Sequence, residues 1–219
     1  MQNSIKGRMM DIRELIQLLR NAESCEDIDA RREEIAELLP KVRIMFDFDQ
    51  KNDAHQYDLW HHCLHTVLGL GETNDDMLYL AALIHDIGKP DCQHPGKKPG
   101  DTNMHYRGHW IRGMEIVRDE ILPELEKCGA DLTEDEKRRL LYYVEFHDDH
   151  VNLERSHLMR HLQIPVSAEE FKKLMFLQIA DAKAHIQIPV IKERIRICSI
   201  LAGEFTDCLY EEIVCDDDK

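Results

Sequence analysis

Apolar residues recur at helical spacing along almost the whole chain, and no alternation of apolar and polar positions runs long enough to make a convincing strand. Asp11 to Arg20 and Asp27 to Leu39 read as two short amphipathic helices, the second stopped by Pro40. Asp58 to Leu70 and Met77 to Ile87 read as a pair of helices separated by the loop-forming run GETNDD, and His109 to Leu122 as another. Thr133 with Glu136, and Ser167 with Glu170, form capping boxes that open two more helices, one running toward His147 and one through Ile188. A last helix is predicted over roughly 190 to 213. Residues 90 to 108, rich in Gly, Pro and Lys, form the one long loop, and a loop of that length inside a compact domain is usually functional or mobile. The pattern predicts an all-α fold, a compact bundle of about eight or nine helices. Residues 1–45 form an N-terminal helical extension, 46–213 the main domain and 214–219 an acidic end.

A chain of 219 residues can bury a substantial core. Its 43 acidic and 28 basic residues give a formal charge of −15, which argues against a broad surface that tracks nucleic-acid phosphates. A small anionic substrate stays compatible if a metal or a lysine offsets the field locally. Seven cysteines without a CxxC pair read as reduced thiols. No stretch approaches the length of a membrane span and the N-terminus lacks a signal-type apolar core, so a soluble, cytoplasmic protein with no membrane partner is expected.

The segment LAALIHDIGKP, residues 80 to 90, changes this bland picture. Met77 to Ile84 is almost wholly apolar, so His85 and Asp86 lie at the end of a core helix, where an unpaired carboxylate costs several kcal/mol and must find a cation. Downstream, Asp181 interrupts the stripe Leu174, Leu177, Ala184 and Ile188, and His147 continues the stripe Leu140, Tyr143 and Val144. Any one of these has an ordinary explanation as a cap or a satisfied core residue. Four together, all imidazole or carboxylate, favour a metal site. His55, His61, His62 and His65 cluster in HQYDLWHHCLHTV, where periodicity puts His62 and His65 on the same side and does not choose between them.

IHDIGK at 84–89, a histidine some twenty residues earlier and the aspartate of IADAKAH resemble the HD-domain metal-dependent phosphohydrolases, named for the His-Asp doublet. At finer grain, FDQKNDAHQYDLWHHCLHTVLGL, HYRGHWIRGMEI and YVEFHDDH resemble the HD region of bacterial tRNA nucleotidyltransferases, over roughly residues 46 to 188. Nothing in the first 45 residues looks like the catalytic head of those enzymes, and Asp47 and Asp49 read as loop or capping residues. The chain is thus expected to be the HD module alone.

The resemblance implies one ion held by His62, His85, Asp86 and Asp181, with His65 the competing first histidine. It implies a second ion held by His109 and His147, with Asp86 bridging. The cofactor is then one or two divalent ions, manganese, iron, nickel, cobalt or zinc, with magnesium also open. Lys89, after the doublet, takes the position that holds a phosphate oxygen, against its ordinary reading as a helix-end lysine favoured by the dipole. Lys89 and Asp86 are the expected catalytic residues, and Lys89, His65 and His105 the candidates for substrate contact. Lys97 and Lys98 read as solvated loop charges. The implied activity is hydrolysis of a small phosphate ester: a nucleotide, a 2′,3′-cyclic phosphate or another phosphomonoester. The alternatives are a di-iron HD-fold oxygenase and a non-catalytic nucleotide sensor.

Overall fold

The computed structural model describes residues 10–164 and 166–203. Helices α1 (Ile12–Asn21), α2 (Cys25–Asp29) and α3 (Arg32–Leu38) lead into a 3-10 turn over Pro40–Met45. Then come α4 (Leu59–Gly69), α5 (Asp76–Ile84), α6 (Lys89–Cys92), a minimal antiparallel hairpin of β1 (His94–Pro95) and β2 (Met104–His105), and α7 (His109–Ile116). A π turn over Val117–Ile121 joins α7 to α8 (Leu122–Lys127), and α9 (Glu134–Phe146), α10 (Arg155–Leu162), α11 (Ala168–Ala184) and α12 (Pro189–Leu201) complete the described chain. The fold is all-α as expected, in more and shorter helices than the pattern predicted.

The differences have local causes. The predicted helix over 27–39 is two, because a Ser24–Asp27 capping box starts α2 at Cys25 and the chain breaks after Asp29. At that break Asp29 accepts the Trp60 indole N–H at 2.8 Å. Pro40 opens a 3-10 turn instead of ending the structure, a position its missing N–H tolerates. The predicted helix over 77–87 stops at Ile84, and the doublet lies in the turn that follows. The long loop is not structureless: α6 and the hairpin lie within it, and it is tied down where Asn52 Nδ2 donates to Met104 O and Asp53 N to Asn103 Oδ1. The run expected to reach Ile188 ends at Ala184, with Pro189 disfavouring helix in the residue before it. The capping boxes at Thr133 and Ser167 form as predicted. The end of the predicted last helix and the acidic end at 214–219 lie outside the described residues.

Helix α5 is the axis, with every residue from Met77 to Ile84 buried. It packs on α1, α4, α9 and α11, while α4 lies along α11, where Gly69 lets the backbone approach Ala180. Leu15 and Leu19 of α1, Ile28 of α2 and Ile35 of α3 belong to the same core as Trp60, Tyr143 and Phe171. At about 1.5–3 kcal/mol per fully buried large side chain, these N-terminal helices are part of what holds α5 in place. No helix among the described residues is long and apolar enough to cross a membrane.

Candidate metal centre

The end of α5, the middle of α4, the start of α7, the end of α9 and the end of α11 meet at one point. His62 is on α4 with its N-cap Asp58 fixing the first turn. His85 and Asp86 follow α5, His109 opens α7, His147 caps α9, and Asp181 lies in the last turn of α11. Gly88 makes the convergence possible. A Cβ there would stand 2.2 Å from His109 O and 2.6 Å from Gly113 N, so only glycine lets α7 cross against the doublet. Replacing Gly88 with alanine should force these backbones apart, at a cost of about 1–3 kcal/mol or more for overpacking, and carry His109 away from Asp86. Thermal unfolding and elemental analysis check this; an unchanged melting temperature and metal content would refute it.

Asp86 faces two ligand sets with its two oxygens. Its Oδ2 lies 3.3 Å from both His62 Nε2 and His85 Nε2, whose other neighbour is Asp181 Oδ1 at 3.0 and 3.7 Å. Its Oδ1 lies 3.1 Å from His109 Nε2 and 3.3 Å from His147 Nε2. In each set the donor atoms fall within 4.8 Å of one another, close enough to share an ion. Three of the imidazoles are oriented from behind: Nδ1 of His85, His109 and His147 sits 2.7–2.9 Å from a backbone carbonyl three residues earlier. A carbonyl accepts only, so Nδ1 carries a proton and Nε2 is the nitrogen turned toward the centre, the orientation of a metal-ligating histidine.

Two observations show that these residues fit a cation. His62 Nε2 and His85 Nε2 are buried, and although carboxylate oxygens lie 3.0–3.7 Å away, neither nitrogen makes a hydrogen bond of good geometry, a costly state for a polar atom unless something coordinates it. The charge balance points the same way. Burial opposes a charge on His85, yet Cys63, Asp86 and Asp181 around it raise its proton affinity well above that of free imidazole. Burial also opposes ionisation of Asp86, and the Lys89 ammonium together with His85 outweighs it, holding the carboxyl well below its usual range. His147 is shifted the other way, since burial pushes its pKa down and favours the neutral ligand form.

Lys89 is buried, at 5% exposure, with Nζ 2.7 Å from Asp86 Oδ2 and donating to Gln50 Oε1 at 2.8 Å. It opens α6 instead of closing α5, so the dipole reading of a helix-end lysine does not apply. Of the two histidines that periodicity left open, the structure brings His62 into the ligand set, whereas His65 stacks on Tyr57 at 4.0 Å between ring centroids. His65 is also absent from the lining of the cavity beside the centre, against the expectation that it touches substrate. That cavity, of about 380 Å³, is lined by Asp86, Lys89, Asp181 and His105, with His105 Nε2 held 2.8 Å from Asp101. Lys97 and Lys98 are solvent-exposed and do not line it.

Several lining residues were not singled out from sequence: Tyr106, Arg107, Trp110, His185 and Arg194, with Gln50 behind Lys89. His185 follows Asp181 by one helical turn, a spacing that could have marked it. It stands 4.4 Å from His55, centroid to centroid, and burial with the nearby Lys89 charge pushes the His55 pKa down to about 2. Arg194 donates to His147 O and pairs with Asp148, fixing the segment that carries His147.

The sequence profile of the HD domain matches residues 53–184, more than half of the chain, and so includes all six converging histidines and aspartates. The chain belongs to the HD-domain family. The match is to the HD domain as a whole, and no curated protein matches the chain. The doublet of this HD domain is His85-Asp86, and its two His/Asp sets can hold divalent metal.

Proposed function

We propose that this HD domain is a metal-dependent phosphohydrolase acting on a small phosphate ester. The observation that carries the reading is Asp86, whose two carboxylate oxygens face separate His-containing sets while Lys89, paired with it, lines the same cavity. Ions held by His62, His85, Asp86 and Asp181 on one side, and by Asp86, His109 and His147 on the other, would polarise a phosphoryl oxygen and make water nucleophilic near neutral pH. The protein supplies the rest. Lys89 brings a cation to the cavity of a chain of net charge −15, and Arg107 and Arg194 line the same cavity. Arg107 is exposed at the cavity wall, and Trp110 lines it as well, a cation and an aromatic residue that suit a nucleotide or a 2′,3′-cyclic phosphate. We extend the sequence resemblance to the HD region of tRNA nucleotidyltransferases to the same substrates. A volume near 380 Å³ suits a small ester and not an extended strand. The setting we propose is cytoplasmic, where the free described cysteines stay reduced.

The test is a phosphatase and phosphodiesterase panel on metal-reconstituted protein, read beside elemental analysis. Metal-dependent release of phosphate or opening of a cyclic phosphate is expected; bound iron with oxygen-dependent turnover and no hydrolysis would replace this reading with an oxygenase. Within the same assay, His147→Ala should lower the metal content of the HD centre from two ions toward one, a loss of about one ion per chain, while the protein stays folded. Loss of all metal, or none, would contradict the two-set assignment.

A further inference from the structure

On α10, away from the HD centre, His157 and His161 lie one helical turn apart and face the same side. Both are buried, at 3% and 0% exposure, among the rings of Tyr142, Phe146 and Phe171. His161 Nε2 is 3.2 Å from Asp149 Oδ2, and its Nδ1 is 2.9 Å from the Tyr142 hydroxyl. His157 Nε2 has no hydrogen-bond partner, although it is buried. Arg160 reaches over the cluster: it pairs with Asp149 Oδ2, and its Nη2 lies 3.3 Å from His157 Nδ1. One donor atom from each of Asp149, His157 and His161 falls within 4.8 Å of the others.

We propose that Asp149, His157 and His161 form a separate three-ligand site for a divalent cation of the zinc type, whose existence does not rest on the function proposed above. Two imidazoles and one carboxylate are a zinc donor set, and histidines one turn apart on a helix are placed to bind a single ion. The Tyr142 hydroxyl supplies the outer hydrogen bond that orients a ligating imidazole. Burial, with His161 beside it, pushes the His157 pKa down to about 4, which keeps its lone pair free at neutral pH. Arg160 is 52% exposed on its side chain, and its guanidinium serves as the counter-charge of Asp149. A divalent cation takes over that role, and the long arginine side chain moves to water. Arg160 therefore competes with the metal.

The site would act on the HD centre from behind. Asp149 follows the ligand His147 by two residues, and Gln178 Nε2 donates to Phe146 O at 2.9 Å and reaches Asp149 O at 3.5 Å. A cation bound there clamps α10 to the end of α9, the segment that carries His147.

The competing account is a cation-free hydrogen-bonded cluster that anchors α10, and Arg160 separates the two. Metal-stripped full-length protein is dialysed against a fixed free concentration of Zn²⁺ and its zinc per chain measured, for the wild type and for Asp149→Asn, His161→Gln and Arg160→Ala. The proposal expects one zinc fewer in Asp149→Asn and His161→Gln than in the wild type. It expects Arg160→Ala to keep that zinc and bind it about tenfold tighter, the effect of removing a competing partner worth about 1.4 kcal/mol, with a larger rise in melting temperature on zinc addition. Arg160→Ala changes an exposed residue and keeps the test decisive if either buried-site variant fails to fold. Equal zinc content in the folded variants, or an Arg160→Ala protein that is less stable and gains no zinc affinity, would overturn the site.

Discussion

Replacing Asp86 with asparagine should lower kcat about a thousandfold or more and cut the metal content of the chain. Asparagine keeps the shape but offers one oxygen in place of two, so its amide NH₂ must face either His62 and His85 or His109 and His147, and that ligand set loses its carboxylate. Losing the Lewis-acid contribution of one ion removes several kcal/mol of transition-state stabilisation, and each 1.36 kcal/mol is about tenfold in rate. A second cost falls on the fold. Lys89 is left as a buried ammonium with Gln50 its remaining close partner, and breaking a buried pair from one side costs about 3–5 kcal/mol. Asp181→Asn is the control, since Asp181 contacts His62 and His85 but is not in the His109 and His147 set. It should spare the second ion. Elemental analysis and kinetics at saturating metal decide the matter, and an Asp86→Asn protein with full metal content and turnover would refute the bridging role.

How much of this site the sequence discloses depends on contrast. His85, Asp86 and Asp181 are legible because each interrupts a run that is otherwise apolar, so burial can be inferred and a buried charge needs a partner. His62 has no such contrast with His65. What separates them is tertiary: α4 lies along α11, which directs His62 toward Asp181, while Tyr57 covers the ring of His65. Helix α10 escapes periodicity for a related reason. His157 and His161 occupy its buried positions beside Leu158, so the helix reads as polar although that face is packed. The hairpin in the long loop has two residues per strand, too few to show alternation, and it is fixed by the amides of Asn52 and Asn103. Gly88 reads as a helix stop, and only the crossing of α7 reveals that it is a contact.

Lys89→Ala should lower kcat by roughly ten- to a thousand-fold, the effect of removing one electrostatic contact worth about 1.4 to 4 kcal/mol in the transition state. The geometry leaves two roles for the ammonium, since it touches Asp86 and also lines the cavity. If it acts on the substrate phosphoryl group, the fall in kcat appears at saturating metal and at the plateau of the pH profile, with metal content unchanged. If it acts only by holding Asp86 ionised, the consequence is different. Lys89 keeps the Asp86 pKa depressed, so without it the carboxyl protonates at higher pH, and metal is lost sooner on acidification while the plateau kcat stays put. Lys89→Arg sharpens the comparison, because it keeps the charge but replaces a compact ammonium with a wide planar fork in a space bounded by Gln50 and Asp86. The substrate role requires Lys89→Ala to lose plateau turnover, and an unchanged plateau with a shifted acid limb would reassign Lys89 from catalytic residue to partner of the bridging carboxylate.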